Sequence, residues 1–371
     1  MTHRQRNLPL ADWIDRTDSL RNVLASDGDT VGLDTEFMRV DTFAPKLALV
    51  QLGIGTTIAL IDPLADLDLT PLAARLSDPG TTSIMHSAGE DLDALAPIVP
   101  AGLGRLFDTQ IAAAFCGLGA GLGYQKLVFS LTGIEVDKGE TRSDWLRRPL
   151  SPTQLEYAAQ DVAHLPFLHA RLAERLAERG YAAWHAEDCQ RLLDRARRRE
   201  IDPEPQLAYR MAADWPREQQ ARLRRTLLWR EHTARALDTP RPWLLDEQRL
   251  IDFAQRPPLD PGDLYERGRG LRALRKAERA GLFDALAAPI EDADLEFATI
   301  PPAASPRERK AISALKDIVI ARAAELDLPD GLLCARRHLE ALWLTRQWPA
   351  ALDGWRREIL HDALMARLAD V

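Results

Sequence analysis

Asp34 and Glu36 stand two apart in the run Val31-Gly-Leu-Asp-Thr-Glu-Phe37. A strand alternates faces every two residues, so both carboxylates share one face, roughly 6–7 Å apart along the backbone, while Leu33, Thr35 and Phe37 point the other way. Two acids on the face of a central strand need something positive beside them; on an edge strand they could simply face water. Asp91 closes the segment His86-Ser-Ala-Gly-Glu-Asp91, which follows the strand-like Thr81-Thr-Ser-Ile-Met85. Ser87 with Glu90 three residues on is a capping-box pattern, which predicts a helix start with Asp91 in or just past its first turn. That is the carboxyl end of a strand, where open α/β sheets bind ligands, although an acid there also stabilises a helix N-terminus. His86 reads first as a packed or hydrogen-bonded histidine. Tyr157 and Asp161 are four apart, hence on one helix face, in a helix whose start is marked by Ser151, Pro152 and Gln154. Pro166 should interrupt that helix. Taken alone, such a pair is an ordinary surface feature.

Taken together, these residues supply four carboxylates and a phenol. Their oxygens are hard ligands, and the three cysteines (Cys116, Cys189, Cys334) lie far apart with no C-x-x-C spacing. The set suits Mg2+ or Mn2+ rather than zinc or iron. Four anions in one pocket repel each other, and two divalent cations are their natural neutraliser. A pair of ions about 3.5–4 Å apart is the device for in-line phosphodiester cleavage, one activating water and the other steadying the leaving oxygen.

Strands and helices must bring these residues together. Residues 31–61 predict three strands joined by short turns, as in an antiparallel meander. A helix over 70–78, a strand over 81–86, a helix over 91–98, a short strand-like run at 104–109 and a helix from 111 follow. The fold class is therefore α/β with a mixed sheet, antiparallel first and then crossing over through helices. Gly117, Gly119, Gly121 and Gly123 predict a loop feeding the helix that starts at Tyr124, not a phosphate cradle, because no Gly-Lys-Ser/Thr follows. Helical periodicity runs from 151 to 196, and no strand pattern appears beyond it.

Length and charge agree with several domains. The chain has 371 residues, 46% apolar and 28% charged, with a net charge of −8. Residues 1–195 carry 18 basic against 27 acidic side chains, and residues 196–371 carry 30 against 29. An acidic first part suits metal binding, and a balanced second part leaves room for local basic patches. Proline-bearing, charged stretches at 197–206 and 289–306 predict linkers. The expected domains are 1–196, 207–288 and 307–371. No stretch approaches the roughly 20 apolar residues of a membrane span, and no signal-peptide core is present, so a cytoplasmic protein is expected.

The ordered set Asp34, Glu36, Asp91, Tyr157, Asp161 resembles the signature of the DEDD superfamily of 3′-5′ exonucleases, and Tyr157 marks its DEDDy branch. The words LDTEFMR, KLALVQLG, HSAGEDLDAL, KGETRSDWLRRPL and QLEYAAQDVAHL resemble the ribonuclease D family specifically. The resemblance implies an RNase H-like fold, with Asp34, Glu36, Asp91 and Asp161 around two metals and Tyr157 orienting the attacking water. Residues 207–288 resemble a helicase-and-ribonuclease-D C-terminal (HRDC) domain, and 307–371 look like a second, divergent copy. Such modules bind nucleic acid. The implied partners are RNA, tRNA precursors and other small structured RNAs with a free 3′ end, with no membrane and no obligate protein partner. In the family, Lys138, Arg142 and Trp145 border the substrate groove, which suggests phosphate contacts and a ring that stacks on a base; Trp145 could equally anchor the core. A DNA exonuclease would need the same acids, since discrimination rests on contacts to the 2′-hydroxyl. A non-catalytic RNA-binding adaptor normally shows missing acids, and all five residues are present.

Overall fold

The computed structural model describes residues 11–26, 28–136, 139–140 and 143–369. The chain divides into two compact units. The first runs to Met38, resumes over Leu47–Arg198 and returns from Pro306 onward; the second comprises Arg39–Lys46 and Arg199–Ser305.

The first unit is built on a six-stranded sheet of β1 (Asp12–Ile14), β2 (Thr30–Met38), β3 (Lys46–Ile54), β4 (Thr57–Ile61), β5 (Thr82–Met85) and β6 (Arg105–Asp108), in the order β1-β4-β3-β2-β5-β6. β3 and β4 pair antiparallel, while β5 runs parallel to both β2 and β6. The expected mixed sheet is present. β1 adds an edge strand, parallel to β4, that the sequence pattern did not predict. At three residues, with Trp13 partly exposed, it carries no alternation to read. β3 is buried from Ala48 to Ile54, as an unbroken apolar run requires of an internal strand. One core lies between the sheet and α1 (Thr17–Leu24), α2 (Thr70–Ser77), α3 (Gly89–Leu95) and a later helix, joining Leu20, Leu33, Leu52, Ile61, Leu72, Leu92 and Leu193.

α4 (Thr109–Phe115) and α5 (Tyr124–Thr132) follow, then α6 (Pro152–Ala163), α7 (Leu165–Glu178) and α8 (Ala182–Arg198). α6 begins with a complete capping box: Ser151 Oγ accepts from Gln154 N and Gln154 Oε1 accepts from Ser151 N. It ends at His164, where Pro166 opens α7.

α3 starts differently from the expected capping box. Ser87 takes a left-handed conformation (φ 61°), and the N-cap is Ala88, which makes no side-chain cap bond. The cap comes from another strand instead. The buried Asp108 carboxylate accepts from Ser87 N and Ala88 N at α3, and from Gln110 N and Ile111 N at α4. One side chain thus ties two strand-to-helix turns together, satisfying donors that both helix starts would otherwise leave open.

The second unit holds α9 (Arg217–Ala236), α10 (Arg241–Leu244), α11 (Glu247–Gln255), α12 (Pro261–Arg267) and α13 (Lys276–Ala287) around Leu223, Phe253, Leu264 and Leu282. The 39–46 segment belongs to it: Asp238 Oδ1 accepts from Phe43 N and Ala44 N, and the Arg241 guanidinium lies 4.5 Å from the Phe43 ring centre.

The chain then returns to the first unit as α14 (Pro306–Leu326), α15 (Asp330–Leu333), α16 (Arg336–Thr345) and α17 (Trp355–Ala369). These helices, read from sequence as a separate module, share a compact unit with the sheet. The fully buried Trp355 stacks on Trp184 of α8 at 4.8 Å and 12°, and its ring meets Phe115 at 5.4 Å. Arg356 forks onto Asp188 with bonds of 2.5 and 2.7 Å. Among the described residues, no helix is long and apolar enough to cross a membrane.

Candidate active site

β2 delivers Asp34 and Glu36 to one face of the sheet, and the junction of α6 and α7 covers that face. The approach is close because two strand positions lack side chains. A Cβ on Gly32 would lie 3.3 Å from Leu165 Cβ and 3.4 Å from Val162 O, and one on Gly53 would lie 3.3 Å from Val162 O. With glycine at both, α6 settles low enough for Asp161 to join the β2 acids. Carboxylate oxygens of Asp34, Glu36 and Asp161 all lie within 4.8 Å of one another. They line a pocket of about 240 Å3 with Tyr157, His86, Tyr124 and Gln125.

Asp91 stands just outside that triad. It is 9% exposed, and its Oδ1 accepts from the Thr35 hydroxyl at 2.6 Å. Thr35 alternates away from the acids, as expected, yet its hydroxyl is what secures the fourth one. Asp91 still acts on the triad electrostatically, raising the pKa of Asp34, Glu36 and Asp161.

The electrostatics are those of uncompensated anions. Burial pushes Asp34 well above the carboxylate range, reinforced by Asp91, Asp161 and Glu36, and opposed only by the Thr35 backbone N–H. Burial, then Asp161 and Asp91, raise Glu36 to about 9. Burial and Asp91 raise Asp161 to about 7 against the Tyr157 hydrogen bond, and burial raises Asp91 to about 6. Among the described residues, no lysine, arginine or histidine is among the groups acting on Asp34, Glu36 or Asp161. Hard oxygen donors held together without a counter-charge fit a divalent cation, so the acidic cluster could bind metal.

Tyr157 lies within hydrogen-bonding reach of Asp161, and burial holds its hydroxyl protonated far beyond neutral pH. Behind it sits Trp145, 2% exposed, its ring centre 6.1 Å from that of Tyr157. Of the two expectations for Trp145, the core position is the one observed: an enclosed indole has no open face for a base. The segment that carries it is anchored by Arg148, which forks onto the buried Asp62 (2.6 and 2.8 Å) and also donates to Ala48 O and Trp145 O. Lys138 and Arg142 lie outside the described residues.

Several supporting residues escaped the sequence reading. Tyr124 donates to Gln160 O at 2.8 Å, tying α5 to α6, and its ring packs edge-on against His86 at 5.7 Å. Their only sequence-level signal was placement, Tyr124 at a helix start and His86 at a strand end.

Comparison with known proteins agrees with this geometry. A 3′-5′ exonuclease family model matches residues 11–177. Ribonuclease D of Xanthomonas oryzae pv. oryzae is 44% identical over 361 residues, covering 96% of this chain and 98% of that protein. The chain belongs to the ribonuclease D family. Ribonuclease D of Pseudomonas paraeruginosa is 36% identical, covering 91% of this chain and 92% of its own length. The crystal structure of Escherichia coli RNase D, an exoribonuclease involved in structured RNA processing, matches with a TM-score of 0.82 at 29% identity, covering 98% of this chain and 99% of that one. The ribonuclease D fold is thus a mixed α/β sheet with flanking helices and a helical C-terminal region, and membership makes the chain a hydrolytic 3′-5′ exoribonuclease.

Proposed function

We propose that the chain shortens RNA from its 3′ end, releasing nucleoside 5′-monophosphates, with two divalent cations, Mg2+ or Mn2+, held by Asp34, Glu36, Asp91 and Asp161. The convergence of Asp34, Glu36 and Asp161, with no cationic side chain acting on them among the described residues, carries this reading. Asp34 would serve both ions, Glu36 and Asp161 one of them, and Asp91 the other. Bound cations would lower the pKa of a coordinated water and steady the departing oxygen.

The remaining work falls to the chain. Tyr157 stays a neutral phenol at working pH, so it orients the attacking water by hydrogen bonding and does not act as a base. Trp145 backs the Tyr157 ring, which limits the directions the phenol can take. Structured RNAs with free 3′ ends, tRNA precursors among them, are the proposed substrates, and the cytoplasm the proposed location.

The test is an incubation of 5′-labelled RNA and matched DNA with Mg2+, Mn2+ or chelator. The expected result is a ladder shrinking from the 3′ side, for RNA and only with metal. Asp34→Asn should abolish shortening while melting no lower than the parent. Shortening by that variant in excess Mg2+ would overturn the assignment.

A further inference from the structure

Within the first unit, a groove of about 880 Å3 runs between α8 and the helices α15 and α16. That is the size of a small-molecule site. Leu192, Leu332 and the buried Leu333 and Leu352 give it an apolar base. Four carboxylates stand in its walls, and each is already engaged: Glu187 by Arg191, Asp188 by Arg356, Asp194 by Arg197 and Asp353 by Arg357. Three guanidinium groups are not. Among the described residues, Arg195 and Arg198 of α8 and Arg337 of α16 form no ion pair with a carboxylate, and all three are exposed.

The walls are held in place from both sides. Arg191 donates to Asp353 O, and Arg356 donates to Leu332 O at 3.0 Å while it forks onto Asp188. Arg195 and Arg198 are three apart and share one face of α8. Arg337 faces the same space from α16, and His338 beside it is held below the usual imidazole range by burial and by Arg337 and Arg356. Both residues sit in the first turn of α16, which contains no acid, although a helix start favours negative charge. The uncommitted charge of the groove is therefore of one sign, in a chain whose net charge is −8.

We propose that this groove binds a nucleoside diphosphate, its phosphates on Arg195, Arg198 and Arg337 and its base against the leucines. The three guanidinium groups match the roughly three negative charges of such a ligand, and each can fork onto two phosphate oxygens. A concave site with an apolar base and a few convergent polar groups is the form that holds a small molecule. The groove shares no residue with the acidic pocket, so its occupancy can be measured without cleavage and does not depend on the nuclease reading. A ligand bridging α8 and α16 would reinforce the packing of the C-terminal helices, making its strength responsive to nucleotide supply.

The experiment uses the full chain in chelator, with ADP as the probe. Titration calorimetry should show one saturable site, with pyrophosphate and adenosine each bound at least about tenfold more weakly, since each fills only part of the groove. ADP at about 100 times its Kd should raise the melting temperature by about 4 °C. Arg195→Ala with Arg337→Ala should weaken ADP binding about 50-fold while melting like the parent without ligand, and Arg198→Ala alone should fall between the two. A control, Arg171→Ala with Arg322→Ala, removes exposed arginines that already have acidic partners and should bind ADP like the parent. So should Asp34→Asn, whose change lies in the acidic pocket. Absence of saturable ADP binding, equal affinity for pyrophosphate, unchanged affinity in the groove variant, an equal fall in the control, or loss of binding in Asp34→Asn would each overturn the site. Displacement of ADP by a stem-loop RNA would overturn it as well, by giving the groove to nucleic acid.

Discussion

Replacing Glu36 by glutamine should make the metal-free protein more stable at pH 8. Glu36 releases its proton near 4.5 when unfolded but near 9 in the folded chain, because burial and the charges of Asp161 and Asp91 disfavour the anion. The folded state therefore binds the proton more tightly. Its contribution to stability is fully present below pH 4.5 and is lost as pH rises towards 9. By pH 7.5 the unfolded chain has gained about three units of ionisation, worth about 4 kcal/mol at 1.36 kcal/mol per unit. Water reaching a partly exposed carboxyl trims this to about 2 kcal/mol. Glutamine keeps the shape and has no proton to lose. In chelator, calorimetric melting should show the two proteins nearly level at pH 5 and Glu36→Gln higher by about 5 °C at pH 8. Adding Mn2+ should reverse the order, since the cation stabilises only a site that can ionise. A variant that melts lower at pH 8, or by the same margin at both pH values, would refute the idea that stored repulsion is what a cation relieves.

Tyr157→Phe should leave Mn2+-induced stabilisation intact while slowing RNA trimming by about 100-fold; a parallel loss of metal stabilisation would show the phenol acting on the metal site instead. Asp108→Ala removes the acceptor of four backbone N–H groups and should cost about 3 kcal/mol in urea unfolding, whereas a loss below 1 kcal/mol would mean that water replaces the carboxylate easily. Truncation after Ser305 bares Trp184 and Phe115 and strands the Asp188 carboxylate, so the shortened protein should melt well below the full chain and bind a hydrophobic dye. Melting of its sheet-bearing unit at the parental temperature would contradict that.

What the sequence made legible was local. β2 to β6 announced themselves through apolar runs and alternation, and the start of α6 through Ser151, Pro152 and Gln154, because each of these is decided within a few residues. The pairing of Tyr157 with Asp161 followed from helical spacing. Contacts over long separations were not legible. Ser87 and Glu90 match a capping box, yet the carboxylate that caps α3 arrives from Asp108, 20 residues away, and leaves Ser87 in a left-handed turn. The bareness of Gly32 and Gly53 means nothing until α6 is seen to lie on them. Thr35, on the far side of its strand, holds Asp91 through a hydroxyl whose partner is 56 residues distant. The stacking of Trp355 on Trp184 is equally invisible, since an apolar helix face does not say which surface it will cover.

That last contact has a consequence for how the molecule is made. The body containing the sheet is encoded in pieces, and the piece from Pro306 onward follows only after the 107 residues of Arg199–Ser305 have intervened. While the last helices are still inside the ribosome, α8 must wait with its tryptophan uncovered, even though the strands and acids upstream are already synthesised. Packing around α8 is thus coupled to synthesis of α17. A nick in the intervening stretch would leave two fragments that still clasp each other through Trp184, Trp355, Asp188 and Arg356.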